Sequence, residues 1–175
     1  MSAMSSASLR SLILKTTHPK TVLSTTLRLI TPASSIYKST EEETGFKGGP
    51  FWGFVWPGSY GLARWIGEKP EVVRGKRVLD FAAGCGLSGF AALSAGASHV
   101  VFNDIDTAAV SAVTINAAVN GLGEDDPSWS TVSENLIGTS VDADVIIAGD
   151  VCYEADLARD VVEWLTTGER EGGEP

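Results

Sequence analysis

No run of residues in this sequence approaches the 18 consecutive apolar positions of a membrane span, so no transmembrane helix is expected. Cysteine is scarce: Cys85 and Cys152 are the full complement. Two cysteines in unrelated segments cannot make a disulfide scaffold and lack metal-ligand spacing, which points to a reducing compartment. Histidine is equally scarce. His18 and His99 have no ligand-type neighbours at metal spacing, so neither a zinc site nor a His-based triad is expected. Acid is missing altogether from residues 1–40, which contain Arg10, Lys15, Lys20, Arg28 and Lys38. That stretch is rich in Ser, Thr, Leu and Ile. Its composition is that of a mitochondrial transit peptide, with a disordered basic tail as the alternative. The expected location is the mitochondrial matrix, with the cytoplasm as the alternative.

Acid is abundant everywhere else. The other residues carry all 22 Asp and Glu against eight Lys and Arg, a net of −14 within a total of −9. Such a charge argues against a broad phosphate-backbone contact surface, so no nucleic-acid partner is expected. It suits a basic protein partner or a lysine-bearing substrate. At 175 residues and 43% hydrophobic content one domain is expected. Its span is 46–166, followed by a disordered tail over 167–175.

The apolar pattern sets the class of fold. Leu27, Leu29 and Ile30 read as a short strand stopped by Pro32. Four aromatics with proline and glycines in nine residues, Phe51 to Ser59, are unusual for a plain loop. Ser59 reads as the cap of a helix from Tyr60 to about Gly67. From Lys76 strands and helices alternate. Strands are expected at Val78-Leu79, Val100–Phe102, Ser130–Glu134 and Ala143–Ala148. Helices are expected after Gly89, over about Thr107–Asn120 with Asp106 as N-cap, and from Glu154 to about Leu165. Alternation of this kind predicts an α/β fold with a Rossmann-like parallel sheet and right-handed crossovers.

Gly84-Cys85-Gly86-Leu87-Ser88-Gly89 matches GxGxxG after a strand and before a helix, with Asp104 twenty residues past Gly84. One reading is a dinucleotide site. Asp80 weakens it, because a carboxylate there would repel a pyrophosphate. A ligand with a cationic amino or sulfonium group fits better. S-adenosylmethionine has both, with a ribose whose hydroxyls Asp104 could hold while Asp80 takes the amino group directly or through water. The acids Asp80, Asp104, Glu134 and Asp150 all occupy strand ends and should converge on one face, where open α/β sheets bind ligands.

The segments PFWGFVWPGSYGLARWI (50–66), VVRGKRVLDFAAGCGLSGFAALSAGASHVVFNDID (72–106), INAAVNG (115–121) and DVIIAGDVCYEADLA (144–158) resemble the seven-stranded protein-lysine methyltransferases with a D-x-x-Y signature. The resemblance implies a class I methyltransferase sheet, S-adenosylmethionine as cofactor and methylation of a protein lysine. It implies electron transfer flavoprotein beta subunit as substrate, with ribosomal proteins as the other candidate. By the same resemblance Trp56 lines the cofactor pocket, Asp80, Gly84 and Gly86 lie along the methionine part, Asp104 binds ribose and Asn135 lies near adenine. Asp150 and Tyr153 form the signature beside the methyl group and the entering lysine. After the fourth strand and its helix only TTGEREGGEP follows, so the expected sheet is truncated relative to seven strands. A vestigial, non-catalytic cofactor-binding protein is the further alternative.

Overall fold

The structure, a computed structural model, describes residues 4–46 and 48–167. It begins with helix α1 (Ser6–Thr16), capped by the Ser5 side chain, and a hairpin of β1 (His18–Val22) and β2 (Thr25–Leu29). A short α2 (Glu41–Thr44) and a 3-10 turn (Phe51–Gly53) lead to α3 (Pro57–Glu68). Then come β3 (Arg77–Phe81), α4 (Leu87–Ser94), β4 (His99–Asn103), α5 (Thr107–Val119), β5 (Trp129–Val132), β6 (Val145–Ala148) and α6 (Ala155–Thr167).

The last four strands form one parallel sheet in the order β5-β4-β3-β6. The chain steps outward from β3 to β5, then crosses back to place β6 on the other side of β3. The strand order therefore reverses between β3 and β6, which is where open α/β sheets form a crevice at their carboxyl ends. Register makes those ends level: Phe81 stands beside Asn103 and Ala148, and Asn103 beside Val132.

Alternate residues of β3 face opposite layers, as strand geometry requires. Val78 joins Ile66, Leu87, Phe90 and Phe102 in the larger core, under α3 and α4. Leu79 and Phe81 join Val161 and Trp164 of α6 on the other face, with Phe81 and Trp164 ring centroids 5.1 Å apart. Burial on both faces explains the near-continuous apolar character of these strands.

The structure departs from the sequence expectations in several places. Residues 6–29, within the stretch whose composition suggested a transit peptide or a disordered tail, form α1 and the β1–β2 hairpin. Leu27 is fully buried in the larger core, and Ile13 packs with Trp52 and α5. Charge had masked this, because the apolar residues that matter are few and alternate with exposed polar ones. Leu27→Ala should cost about 2–5 kcal/mol, read as a lower urea midpoint of the full chain. An unchanged midpoint would mean the segment is a detached tail after all. Helix α3 starts at Pro57, with Trp56 as N-cap, not at Tyr60. Proline's fixed φ and missing N–H suit the first helical position, and the Ser59 hydroxyl instead donates to the Trp56 carbonyl at 3.0 Å. The third sheet strand is Trp129–Val132, ending two residues short of Glu134. Glu154 precedes α6, whose first-turn acid is Asp156. Of the expected tail at 167–175, Thr167 closes α6 and 168–175 lie outside the described residues.

Candidate functional site

The candidate site is built at the level row where β3, β4, β5 and β6 end. Asp80, the penultimate residue of β3, is 2% exposed. Its Oδ2 accepts a hydrogen bond from Gly89 N–H at 2.9 Å. Burial pushes its carboxyl from the ordinary 3.8 up to about 8; the nearby Asp104 charge adds to this and the Gly89 N–H opposes it. Asp80 is thus held beneath the first turn of α4 as an acid with no cationic partner among the described residues.

Asp104 follows β4 directly. Its two oxygens accept from Gly84 N–H (3.0 Å) and Asp106 N–H (3.0 Å), tying the glycine loop to the end of the neighbouring strand. Its pKa is raised by burial, partly offset by those two N–H groups. Asp106 caps α5 through Ala108 N–H at 2.8 Å, the role its position predicted. Within the loop, Gly86 sits at φ 83° as the N-cap of α4, a left-handed conformation that favours glycine. Cys85 is buried, which pushes its thiol up to about 12 and leaves it no part as a nucleophile.

The exit of β6 meets the start of α3. Asp150, at φ 58°, accepts a hydrogen bond from Ser59 N–H at 3.1 Å. It thereby caps α3 from a distant segment, in a position where the helix dipole favours a negative charge. The crossing is tight: a Cβ on Gly58 would lie 2.5 Å from Asp150 Oδ2, and one on Gly149 would lie 2.8 Å from Ser59 N. The small residues in WPGSYG and GDVCY are what allow it. Trp56, at the same helix start, is 42% exposed, with its indole N–H donated to the Phe51 carbonyl at 2.9 Å. Phe51 and Phe54 flank it at centroid distances of 6.1 and 6.4 Å.

The expected site residues therefore fall into three groups. Asp80, Gly84, Gly86 and Asp104 gather around the loop, Asp80 bonded to Gly89, Asp104 to Gly84 and Gly86 to the Ala83 carbonyl. Asp150 and Trp56 both stand at the start of α3, where the Ser88 hydroxyl of α4 also donates to the Ser59 carbonyl at 3.4 Å. Asn135 and Tyr153 are not drawn in. The Asn135 carboxamide oxygen accepts from Ile137 N–H at 3.1 Å, a local turn, and Tyr153 is 76% exposed. Two residues that sequence reasoning missed also shape the site. Buried Asn103 donates to the carbonyls of Val132 and Glu134, fixing the chain as it leaves β5. Buried Asn116 donates to the Cys85 carbonyl in the loop itself. Asparagine at a strand end or in a helix interior was the available signal. Among the described residues no group of three or more His, Cys, Asp and Glu side chains is placed to hold a metal ion.

This sheet order, with its switch point and its glycine loop below two strand-end carboxylates, is the fold of the class I methyltransferases. The T. Thermophilus 16S rRNA methyltransferase superposes with a TM-score of 0.57 at 19% identity, covering 88% of this chain and 38% of that one. The chain belongs to the family described as ribosomal protein L11 methyltransferase (PrmA), whose sequence model matches residues 65–163. It is also homologous to the electron transfer flavoprotein beta subunit lysine methyltransferase of Danio rerio. The two are 40% identical over 142 residues, 81% of this chain and 53% of that protein. The Homo sapiens protein of the same name is 36% identical over 140 residues, 79% of this chain and 52% of that protein. The chain spans about half the length of these curated relatives.

Proposed function

We propose that this chain binds S-adenosylmethionine at the β3/β6 switch point and methylates a protein lysine, with electron transfer flavoprotein beta subunit as the substrate. The observation that carries the proposal is the buried acid Asp80, bonded to Gly89 N–H and without a cationic partner among the described residues, under a glycine loop that Asp104 ties down. A pyrophosphate would meet two carboxylates here, whereas an ammonium would meet the partner that Asp80 lacks. Similarity to the lysine methyltransferases supports the substrate class.

S-adenosylmethionine, when bound, supplies a methyl group already activated by its positive sulfur. The chain's own residues have to bind and align. Asp80 would take the amino group directly or through one water. Gly84 and Gly86 would let the backbone approach the methionine part. Asp104 would accept from ribose hydroxyls through the lone pairs its two N–H partners leave free. Trp56 would wall the pocket and Asn135 would lie towards adenine. Asp150 and Tyr153 would orient the incoming lysine. Asp150 attracts the ammonium but also favours its protonated form, so the lysine proton must leave to water before attack. Asp150 is an orienting group in this scheme, not a general base.

The test uses the full chain. Thermal unfolding with S-adenosylhomocysteine and with NAD should show stabilisation by the first alone. Stabilisation by NAD alone, or by neither, would overturn the cofactor reading. Methyl transfer to recombinant electron transfer flavoprotein beta subunit should fall about 100-fold in Asp150→Ala, the scale of a misplaced reactant. That variant should lose only about 1 kcal/mol of stability for the missing helix cap. Equal activity in both proteins would remove Asp150 from the mechanism. We place the protein in the mitochondrial matrix on the basic, acid-free composition of residues 1–40; co-fractionation of the native protein with a matrix marker tests this.

A further inference from the structure

Helix α5 and its C-cap carry two asparagines one turn apart, Asn116 and Asn120, and i,i+4 spacing puts them on one face. That face lies along β2, on the side that β1 does not cover. Asn120 accepts from Thr26 N–H at 3.1 Å and donates to the Thr26 carbonyl at 2.7 Å. Asn116 accepts from Arg28 N–H at 2.7 Å. The two carboxamides stand where the next strand of a sheet would stand and satisfy the backbone of β2 in its place. This is the physical reason that a hairpin of only two strands survives at the edge of the domain.

Asn116 does something that Asn120 does not. It is fully buried, and its Nδ2 donates to the Cys85 carbonyl at 3.0 Å. Its partners are one donor and one acceptor, so only one orientation of the amide satisfies both. Cys85 lies between the two loop glycines, and the N–H of the next residue, Gly86, donates to the Ala83 carbonyl at 2.8 Å. The Cys85–Gly86 peptide is therefore pinned at both ends, in the stretch where Gly86 takes its left-handed turn. The same strand is anchored on its far side: the Arg28 guanidinium donates to the carbonyls of Leu14 (2.7 Å) and Thr17 (2.6 Å) at the end of α1.

We infer that Asn116 is a positioning residue for the cofactor loop, locking the Cys85–Gly86 peptide to the amino-terminal hairpin so that loop and hairpin form one unit. The consequence for ligand affinity rests on the function proposed above; the consequence for the loop does not. The α1–β2 segment then serves as a brace of the site, and proteolytic trimming that reached β2 would loosen the loop.

The experiment compares Asn116→Asp with Asn120→Asp in the full chain at pH 8. Each keeps an acceptor for a β2 N–H and loses a donor, but only the first loses the bond to the loop. Amide hydrogen exchange of residues 83–89 in the ligand-free protein should rise about tenfold or more in Asn116→Asp and stay at the wild-type rate in Asn120→Asp. Affinity for S-adenosylhomocysteine should weaken about tenfold in the first variant alone. Equal loop exchange in the two variants would overturn the inference. Failure of the wild type to bind S-adenosylhomocysteine would overturn the cofactor reading, while the exchange comparison would still decide the role of Asn116. Should Asn116→Asp not fold, the wild-type Asn116 side-chain amide protons give the answer by nitrogen-15 NMR. Protection comparable to the loop amides is expected, and exchange at the rate of a solvated amide would overturn the assignment.

Discussion

Gly89→Ala is expected to destabilise the protein by about 3 kcal/mol, the upper end of what overpacking a core usually costs. A Cβ at this position would run into Phe102 Cε1, with Phe102 Cδ1 and Asp80 Oδ2 each at 2.8 Å. The phenyl ring has no easy retreat. Phe102 is fully buried, with Phe90 at a centroid distance of 4.9 Å and Trp129 at 6.3 Å. The clash also falls on the residue whose N–H holds Asp80, so stability and ligand affinity should drop together. At about 2–4 °C per kcal/mol for a chain of this size, the melting temperature should fall by about 6–12 °C. Gly61→Ala is the control. Gly61 is exposed in α3 with nothing within 4 Å of the added Cβ, and alanine there should stabilise by about 0.5–1 kcal/mol. A melting temperature for Gly89→Ala equal to wild type would show that the α4–sheet contact is looser than described.

The second large effect is expected at Asp80, and its sign depends on pH. The folded-state pKa, about 8, lies above the ordinary 3.8, so the folded protein prefers the neutral acid. The stability that comes with the neutral form is fully present below pH 3.8. It is lost as pH rises through about 8, because the unfolded chain gives up its proton first. Each unit of raised pKa is worth about 1.4 kcal/mol, so the loss across this window is a few kcal/mol. Asp104 and Asp106 are raised as well and contribute with the same sign. Asp80→Asn should remove the largest part of this slope. Urea midpoints of the ligand-free variant should match wild type at about pH 3.5, below the unfolded pKa, and exceed it increasingly up to pH 9. The same substitution should cost about 100-fold in S-adenosylhomocysteine affinity, since a carboxamide cannot ionise opposite an ammonium. In wild type at pH 7 that ionisation releases a proton on binding, so the calorimetric enthalpy should vary with the ionisation enthalpy of the buffer. Parallel pH profiles for the two proteins would show that Asp80 ionises freely in its place.

Much of this arrangement was legible before any coordinates. The strands at Arg77–Phe81 and His99–Asn103 are apolar runs ending in acid or amide, and such runs signal a sheet covered on both faces. Asp106 announced itself as a cap because a helical pattern starts just after it. The Asp80 carboxylate, set between the strand and the first loop glycine, argued for a cationic ligand through its charge, where the spacing of Gly84 and Asp104 alone also fitted a dinucleotide site. Of the hairpin only the second strand was legible, as Leu27 and Leu29 of β2. His18–Val22 is polar, contains Pro19 and buries almost nothing, and its partner shows its alternation, Thr25, Leu27 and Leu29 inward, over only five residues. Its stability comes from α5, ninety residues away, and local pattern carries no trace of that. The start of α3 misled for a related reason. Ser59 has the chemistry of an N-cap, but Pro57 and the distant carboxylate of Asp150 satisfy that helix end first. The role of Asn116 could not be read either, because a carboxamide in a helix interior acquires meaning only from what tertiary structure brings to it.

The two cysteines differ in a way that bears on how the protein can be handled chemically. Cys85 is sealed inside the loop with its thiol pushed up to about 12, whereas Cys152 is exposed two residues beyond Asp150. A maleimide or a spin label offered to the native protein will be directed to Cys152, two residues from Asp150, and will spare the glycine loop. A single-site tag can therefore be placed there without removing either thiol by mutation.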